Sequence, residues 1–336
     1  MESEVLAKVI RGETVESIHR GHICIVDGDG KTLASVGDPS TVTYYRSACK
    51  AFQAIPFVTS GAADAFMFTG DEIALAVASH SGEKVHVEIV ARMLAKIGLS
   101  ESDLRCGAHM PFNEAESNRM LRSGETPTQL HNNCSGKHAA MLALSKHIGA
   151  DIKTYEMPDS RIQKRILKCI ADFTEVPENE IAIGIDGCAA PNFALPVTAM
   201  ATSFANLIAP SKFPEITRNA CSHIVNAMIK FPALVGGTER LDTMLMQAAP
   251  GKIISKVGAD GVWLCGVLPS EKWPAGLGVA LKVEDGDDVR GRPVIAVEIL
   301  RQMGILDENP LPELSPMPIK NRRGEIVGSV EAVLSI

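Results

Sequence analysis

At 336 residues the chain is long enough for about two domains of ordinary size, or for one large one. Hydrophobic residues make up 46% and charged residues 22%, the balance of a soluble globular protein rather than a disordered or fibrous one. The net charge of −7, with both signs interspersed, leaves no basic stripe to grip a phosphate backbone, so no nucleic-acid partner is expected. The first residues, MESEVLAKVIRGETVES, carry acids and no apolar stretch of the kind a secretory signal needs, and a cytoplasmic location is expected.

In chain order, HICIVDGDGKTLASVGD sets apolar residues on both sides of an Asp-Gly-Asp-Gly turn and predicts a β-hairpin. From Ser47 the apolar spacing lengthens to that of a helix, through Phe52, Ile55, Pro56 and Val58, until Thr59-Ser60-Gly61 breaks it. DEIALAVAS, KVHVEIVARMLAKIG, KHAAMLALSKHIG, SRIQKRILKCIADF and PEITRNACSHIVNAMIKF predict further helices, separated by loops such as CGAHMPF and LHNNCSGK and by a short strand in IAIGIDG. GCAAPNFALPVTAMATSFANLIAP is uncharged for longer than a bilayer needs, but its three prolines, two asparagines and several hydroxyls predict a buried helix and no membrane span. After GGTERLD the period returns to strands in KIISKVGADGVWLCGVL and GLGVALKVEDG, then a helix through VIAVEILRQMG and a terminal strand near GEIVGSVEAVL. The expected fold class is α/β in the α+β sense: an antiparallel sheet built from both chain ends, flanked by helices, with a mostly helical middle region. One structural unit is expected over residues 1–336, its sheet-containing part at 1–60 and 235–336 and its helical part at 61–234.

YYRSACK puts Ser47 and Lys50 three residues apart at the head of an apolar helix. Either Ser47 caps that helix and Lys50 is a surface charge, or the two are a nucleophile and its base. A serine hydroxyl attacks at neutral pH only when a neighbour takes its proton, and positions i and i+3 share one helix face. Lys50 could serve only in its neutral form, which burial or a nearby cation favours. ASHSGEK adds a second serine, Ser79, and ISKVGADG adds the run Lys256-Val257-Gly258 on a predicted strand. Their order imitates that of penicillin-recognising serine enzymes, although Ser79-His80-Ser81 stands in place of Ser-Asp-Asn and Val257 in place of threonine.

Eight cysteines in a cytoplasmic chain are expected to be reduced. Cys24, Cys169 and Cys265 sit in apolar runs and read as packing residues, as does Cys49 between Ser47 and Lys50. Cys134 in HNNCSGKH and Cys188 in GIDGCAAPN lie in polar, loop-like sequence. There they are either soft ligands for zinc, with Lys137, His131, His138 or Asp186 completing the set, or parts of loops feeding a helix. Arg46 and Asp186 fit a free amino acid, a guanidinium for its carboxylate and an acid for its ammonium, or are ordinary surface charges.

Together YYRSACKAFQAIP, ASHSGE, CGAHMPF, HNNCSGKHAAMLA, GIDGCAAPNFALP and GGTERLDTML resemble the rhizobial-type, or class 3, L-asparaginases of the asparaginase II family, from about Arg11 to the C-terminal sheet. The resemblance implies a fold like that of glutaminases and serine β-lactamases, and hydrolysis of L-asparagine to L-aspartate and ammonia by a homodimer. It pairs Ser47 with Lys50 and Ser79 with Lys256, and implies a zinc site of Cys134, Lys137 and Cys188 completed by water. Asp186 is then expected to hold the substrate's amino group, with Arg46, Asn133 and His138 as further substrate contacts. Ser47 would attack the side-chain amide, backbone N–H groups would stabilise the oxyanion, and Ser79 and Lys256 would relay protons. Zinc would orient the substrate rather than activate water, because two thiolates leave it a weak Lewis acid. The rival expectations are a glutaminase or β-lactam-processing hydrolase on the same scaffold, and a zinc or thiol-redox binding protein in which the Ser-Lys pairs are incidental.

Overall fold

The computed structural model describes residues 2–307 and 310–336. They form two compact units: Met1–Ala48 with Leu195–Ala209 and Met244–Ile336, and Cys49–Ala194 with Pro210–Thr243.

The first unit is built on an eight-stranded sheet in which seven strands follow the order Met317–Lys320, Ile326–Ala332, Glu4–Arg11, Thr14–Asp27, Leu277–Val283, Val262–Val267, Ile253–Gly258, and the eighth, Thr32–Val36, pairs with Thr14–Asp27. Every pairing along it is antiparallel. Thr14–Asp27 is long enough to serve three partners. Its first half pairs with Glu4–Arg11, and its second half pairs with Thr32–Val36 beyond the expected Asp-Gly-Asp-Gly turn, while Gly21–Asp27 lies on Leu277–Val283 along the other edge. The chain ends meet where Ala7 opposes Ala332, so the sheet is antiparallel and drawn from both ends of the chain, as expected.

Helices cover both faces of this sheet. Cys24 bonds Thr198 of the helix Val197–Ile208 on one face. His19, of opposite parity on the same strand, packs against Gly291 at the start of the helix Gly291–Gln302 on the other. Val197–Ile208 sits very close: a Cβ at Gly278 would lie 1.9 Å from the Ala201 carbonyl oxygen, and one at Gly266 would lie 2.6 Å from Ile208. Because both faces are covered, Ile253–Gly258 and Val262–Val267 are buried at every residue and read as continuous apolar runs rather than alternating ones. The uncharged stretch read as one buried helix divides at Pro196 into the strand Pro191–Pro196 and the helix Val197–Ile208. Among the described residues no helix is long and apolar enough to cross a membrane.

The second unit is helical. Its central helix, Lys50–Thr59, is buried from Lys50 to Phe57 and packs on Ser135–His147, Arg161–Thr174 and Glu215–Lys230. The segment read as helical from Ser47 opens instead as a 3-10 turn, Arg46–Cys49, because Arg46 takes a positive φ of 52°. A short hairpin joins Ala182–Ile185 to Pro191–Pro196, with Ile185 opposite Pro191.

The helix Gly70–Ala76 is anchored by Glu72, whose side chain is fully buried. Glu72 closes a capping box with Thr69 and receives Arg92 Nε at 2.8 Å and Lys96 Nζ at 2.7 Å. Burial alone would raise its pKa, but the Lys96 and Arg92 hydrogen bonds outweigh burial and hold it below the usual carboxylate value. Glu72→Gln should cost about 1–3 kcal/mol, less than a fully buried ion pair because Arg92 is 46% exposed and re-solvates. A carboxylate with a depressed folded pKa stabilises above its unfolded pKa and loses that contribution as pH falls through the folded one. Denaturant unfolding of the two proteins should therefore differ at neutral pH and converge on acidification.

Candidate active site

Lys50 opens the central helix with only 1% of its surface exposed. Its Nζ donates to the Ala78 carbonyl at 2.6 Å, to Ser79 Oγ at 3.0 Å and to the Asn133 carbonyl at 3.3 Å. Three acceptors match the three N–H bonds of an ammonium. A neutral amine in the same place donates to the two carbonyls and turns its lone pair to the Ser79 hydroxyl, which is the geometry of a general base. Ser79 follows the helix Gly70–Ala76, is itself buried, and its N–H donates to the Val235 carbonyl at 2.9 Å. The structure thus brings Lys50 to Ser79, 29 residues away in sequence.

Ser47 and Lys256 belong to the sheet unit. Ser47 is half-buried in the 3-10 turn, which Tyr45 anchors through a hydrogen bond from its hydroxyl to Ser203 of the helix Val197–Ile208. Lys256 is fully buried in the strand Ile253–Gly258, and its Nζ donates to the Val257 carbonyl at 3.1 Å. The end of that strand lies against the backbone leading into Ser47: a Cβ at Gly258 would meet the Tyr45 carbonyl oxygen at 2.7 Å and Arg46 Cβ at 3.2 Å. Arg46 Nη1 is paired with Asp260 Oδ2 at 2.6 Å.

Cys134 stands immediately before the helix Ser135–His147, so Lys137 and His138 fall in its first turn. Cys188 is carried by the loop Asp186–Ala190, where Ala189 holds a positive φ of 66° and the Ala190 N–H reaches the Cys188 sulfur. Lys137 Nζ donates to Cys188 Sγ at 3.0 Å, and Cys134 and Cys188 are hydrogen-bonded to each other. The Cys134 hydrogen bond and the Lys137 charge pull Cys188 down to about 4 against the effect of burial. The same hydrogen bond, with burial, pushes Cys134 up to about 12. Cys49, also buried, is pushed up to about 12 by burial.

Among the described residues no group of three or more His, Cys, Asp and Glu side chains could hold a metal ion. The convergent set is two thiols and an amine, each at least nine-tenths buried. Two soft sulfurs and a nitrogen suit zinc once the amine has lost its proton, so the donor set fits that ion. His131 Nδ1 accepts from the Thr128 N–H at 3.1 Å. Asp186 accepts from the Gly187 N–H at 2.9 Å and stands within the field of Lys137. Asn133 presents its carbonyl to Lys50, while its N–H donates to His109 Nε2 at 3.0 Å.

Two residues that sequence reading passed over hold these loops. Asn132 accepts from the Cys134 N–H at 2.8 Å and donates to the Cys106 carbonyl at 2.8 Å. His80 is fully buried between the Ser79 and Cys134 loops, its Nε2 donating to Ser135 Oγ at 2.9 Å and its Nδ1 accepting from the Gly82 N–H at 3.2 Å. Burial holds its pKa well below the ordinary histidine value, which leaves the ring neutral. The one sequence signal for His80 is its place between two serines in Ser79-His80-Ser81.

His138 Nδ1 lies 2.7 Å from the Tyr155 hydroxyl, which also accepts from the Arg105 N–H at 2.9 Å. Tyr155→Phe should leave the buried His138 Nδ1 without its partner and the part-buried Arg105 N–H without that acceptor, and destabilise by about 1–3 kcal/mol in denaturant unfolding.

Solved structures similar to this chain include a probable glutaminase from Bacillus subtilis bound to 6-diazo-5-oxo-L-norleucine, with 14% identity, a TM-score of 0.40 and 85% of each chain covered. A Bacillus glutaminase in 4.3 M NaCl is similar at 12% identity and a TM-score of 0.41, covering 85% of this chain and 91% of that one. No curated protein sequence matches the chain. The family model for L-asparaginase II matches residues 7–332, nearly the whole length, and the chain belongs to the L-asparaginase II family.

Proposed function

We propose that this amidohydrolase converts L-asparagine to L-aspartate and ammonia through a serine ester, as a cytoplasmic homodimer. The observation that carries the chemistry is the buried amine of Lys50 held 3.0 Å from a serine hydroxyl among backbone carbonyls. In the first half-reaction a serine oxygen bonds to the amide carbon and its proton passes to the lysine nitrogen. Collapse breaks the carbon–nitrogen bond, and the proton leaves with ammonia. In the second half-reaction water attacks the ester carbon, its proton passes through the same nitrogen to the serine oxygen as the carbon–oxygen bond to serine breaks, and aspartate leaves carrying the water's oxygen.

Following the family resemblance, Ser47 makes the attack with Lys50 as its base, and Ser79 and Lys256 relay protons. Asp186 holds the substrate's ammonium and Arg46 its carboxylate, with Asn133 and His138 as further contacts. Zinc, when bound by Cys134, Lys137 and Cys188, would stabilise the site and orient the substrate as a weak Lewis acid. A second reading makes Ser79 the nucleophile, and it is favoured by Ser79 being the hydroxyl that Lys50 touches.

The test is ammonia release from L-asparagine and L-glutamine by wild type, Ser47→Ala and Ser79→Ala, with mass spectrometry locating any trapped acyl group. Ser47→Ala should lose about 10⁴-fold or more in kcat, and the acyl group should sit on Ser47. If Ser79→Ala suffers that loss and carries no acyl group while Ser47→Ala still acylates, the second reading replaces the first. Glutamine turnover above asparagine turnover changes the substrate, and a wild type silent on both ends the proposal.

Calorimetric titration should find one zinc per chain, and Cys188→Ser should abolish the binding. Affinity should weaken as pH falls, since protons compete with the metal for thiol and amine.

A further inference from the structure

GGTERLDTML and Ser81-Gly82-Glu83 take no part in the chemistry above, yet they meet beside Ser79. Glu83 Oε1 accepts from Ser81 Oγ at 2.7 Å and from the Thr238 N–H at 2.8 Å. Its Oε2 accepts from Thr238 Oγ1 at 2.8 Å. Burial would raise the Glu83 pKa, but the Thr238 N–H and the Ser81 and Thr238 hydroxyls outweigh it and keep the group a carboxylate, able only to accept. Around this carboxylate the residues flanking the two segments are joined twice more. The Ser79 N–H donates to the Val235 carbonyl at 2.9 Å, and His86 Nε2 reaches the Ala233 carbonyl at 3.1 Å.

Gly237 shows how tightly they are joined. Its φ of 103° and ψ of 169° lie in a region open to glycine alone, and a Cβ there would fall 1.6 Å from Ser81 Oγ. The loop is also held from its other side, where the Asn113 N–H donates to the Ser81 carbonyl at 3.0 Å and a Cβ on Gly82, at φ 74°, would press on the His131 carbonyl at 3.0 Å.

We propose that Glu83 is a positioning residue for the amide hydrolysis: its carboxylate clamps Thr238 to Ser81 and so holds the Ser79 hydroxyl against the Lys50 amine. The proposal rests on the reading of Ser79 and Lys50 as parts of the catalytic machinery. Glu83 touches neither substrate nor reacting atoms, and what it controls is a serine–lysine distance on which proton transfer depends steeply.

The experiment compares wild type, Glu83→Ala, Thr238→Val and Thr238→Ser in amide turnover, thermal unfolding and crystal structure. Glu83→Ala and Thr238→Val should lose about 10- to 100-fold in kcat with KM changed less than about twofold, and the Ser79 Oγ–Lys50 Nζ separation should open beyond hydrogen-bond reach. Thr238→Ser, which keeps both donors, should restore kcat and the short contact. A Glu83→Ala protein that melts lower yet keeps its kcat and its short contact overturns the proposal, because the clamp is then a stabilising contact only. A wild type silent on both amides removes the proposed function while the crystallographic distance still decides the clamp.

Discussion

A long, flexible amine kept out of water is the constraint around which the helical unit is arranged. Lys50 heads a helix whose next seven residues are all buried, so its side chain has no route to solvent along its own element. Burial of such a group is tolerable only if every N–H finds an acceptor. The acceptors come from two places, the Ala78–Ser79 segment after Gly70–Ala76 and the Asn133 carbonyl just before Ser135–His147. Each place is in turn fixed by polar side chains: Glu72 anchors the start of the first helix, Asn132 the approach to the second, and His80 ties one to the other. The apolar packing of the unit is conventional. What distinguishes it is a set of mostly buried polar pairs carried on neighbouring loops, from Glu83 with Ser81, through His80 with Ser135 and Lys50 with Ser79, to Cys188 with Cys134 and Lys137.

How far this could be read from the sequence depends on how local each signal is. The hairpin at Asp27–Lys31 was legible because turn chemistry is written in adjacent residues. Glu4–Arg11 was not: a register shift between Val5 and Ala7 spoils the alternation by which a strand is recognised. The helix Glu114–Ser123 was missed because only Met120 is buried, so it has no apolar stripe and rests on the Asn113 cap and on Gly124, at φ 69°. The family was legible, since it lies in blocks of unusual polar residues such as HNNCSGKH.

Within the site the same rule holds. Ser47 and Lys50 stand out by proximity, whereas the Lys50–Ser79 contact needs two helices packed together before it exists. Cys134 and Lys137 share a helical turn, but Cys188 joins them from a loop 51 residues beyond Lys137. The holders Asn132, His80 and Glu83 left almost no trace, because a polar residue in a loop has no periodicity and its role lies wholly in what it touches.

The division of the chain between its units bears on the order in which the protein is made. The chain passes from one unit to the other at 48/49, 194/195, 209/210 and 243/244. A ribosome therefore releases every residue of the helical unit when only the first strands and one helix of the sheet unit exist. Glu4–Arg11 must then wait for Ile326–Ala332, far later in the chain, before its outer edge is covered. An unpaired edge held open for most of translation is a template for the wrong partner. The glutamate and lysine of that strand, Glu4 and Lys8, are charges of the kind that discourage such pairing while the nascent chain is incomplete.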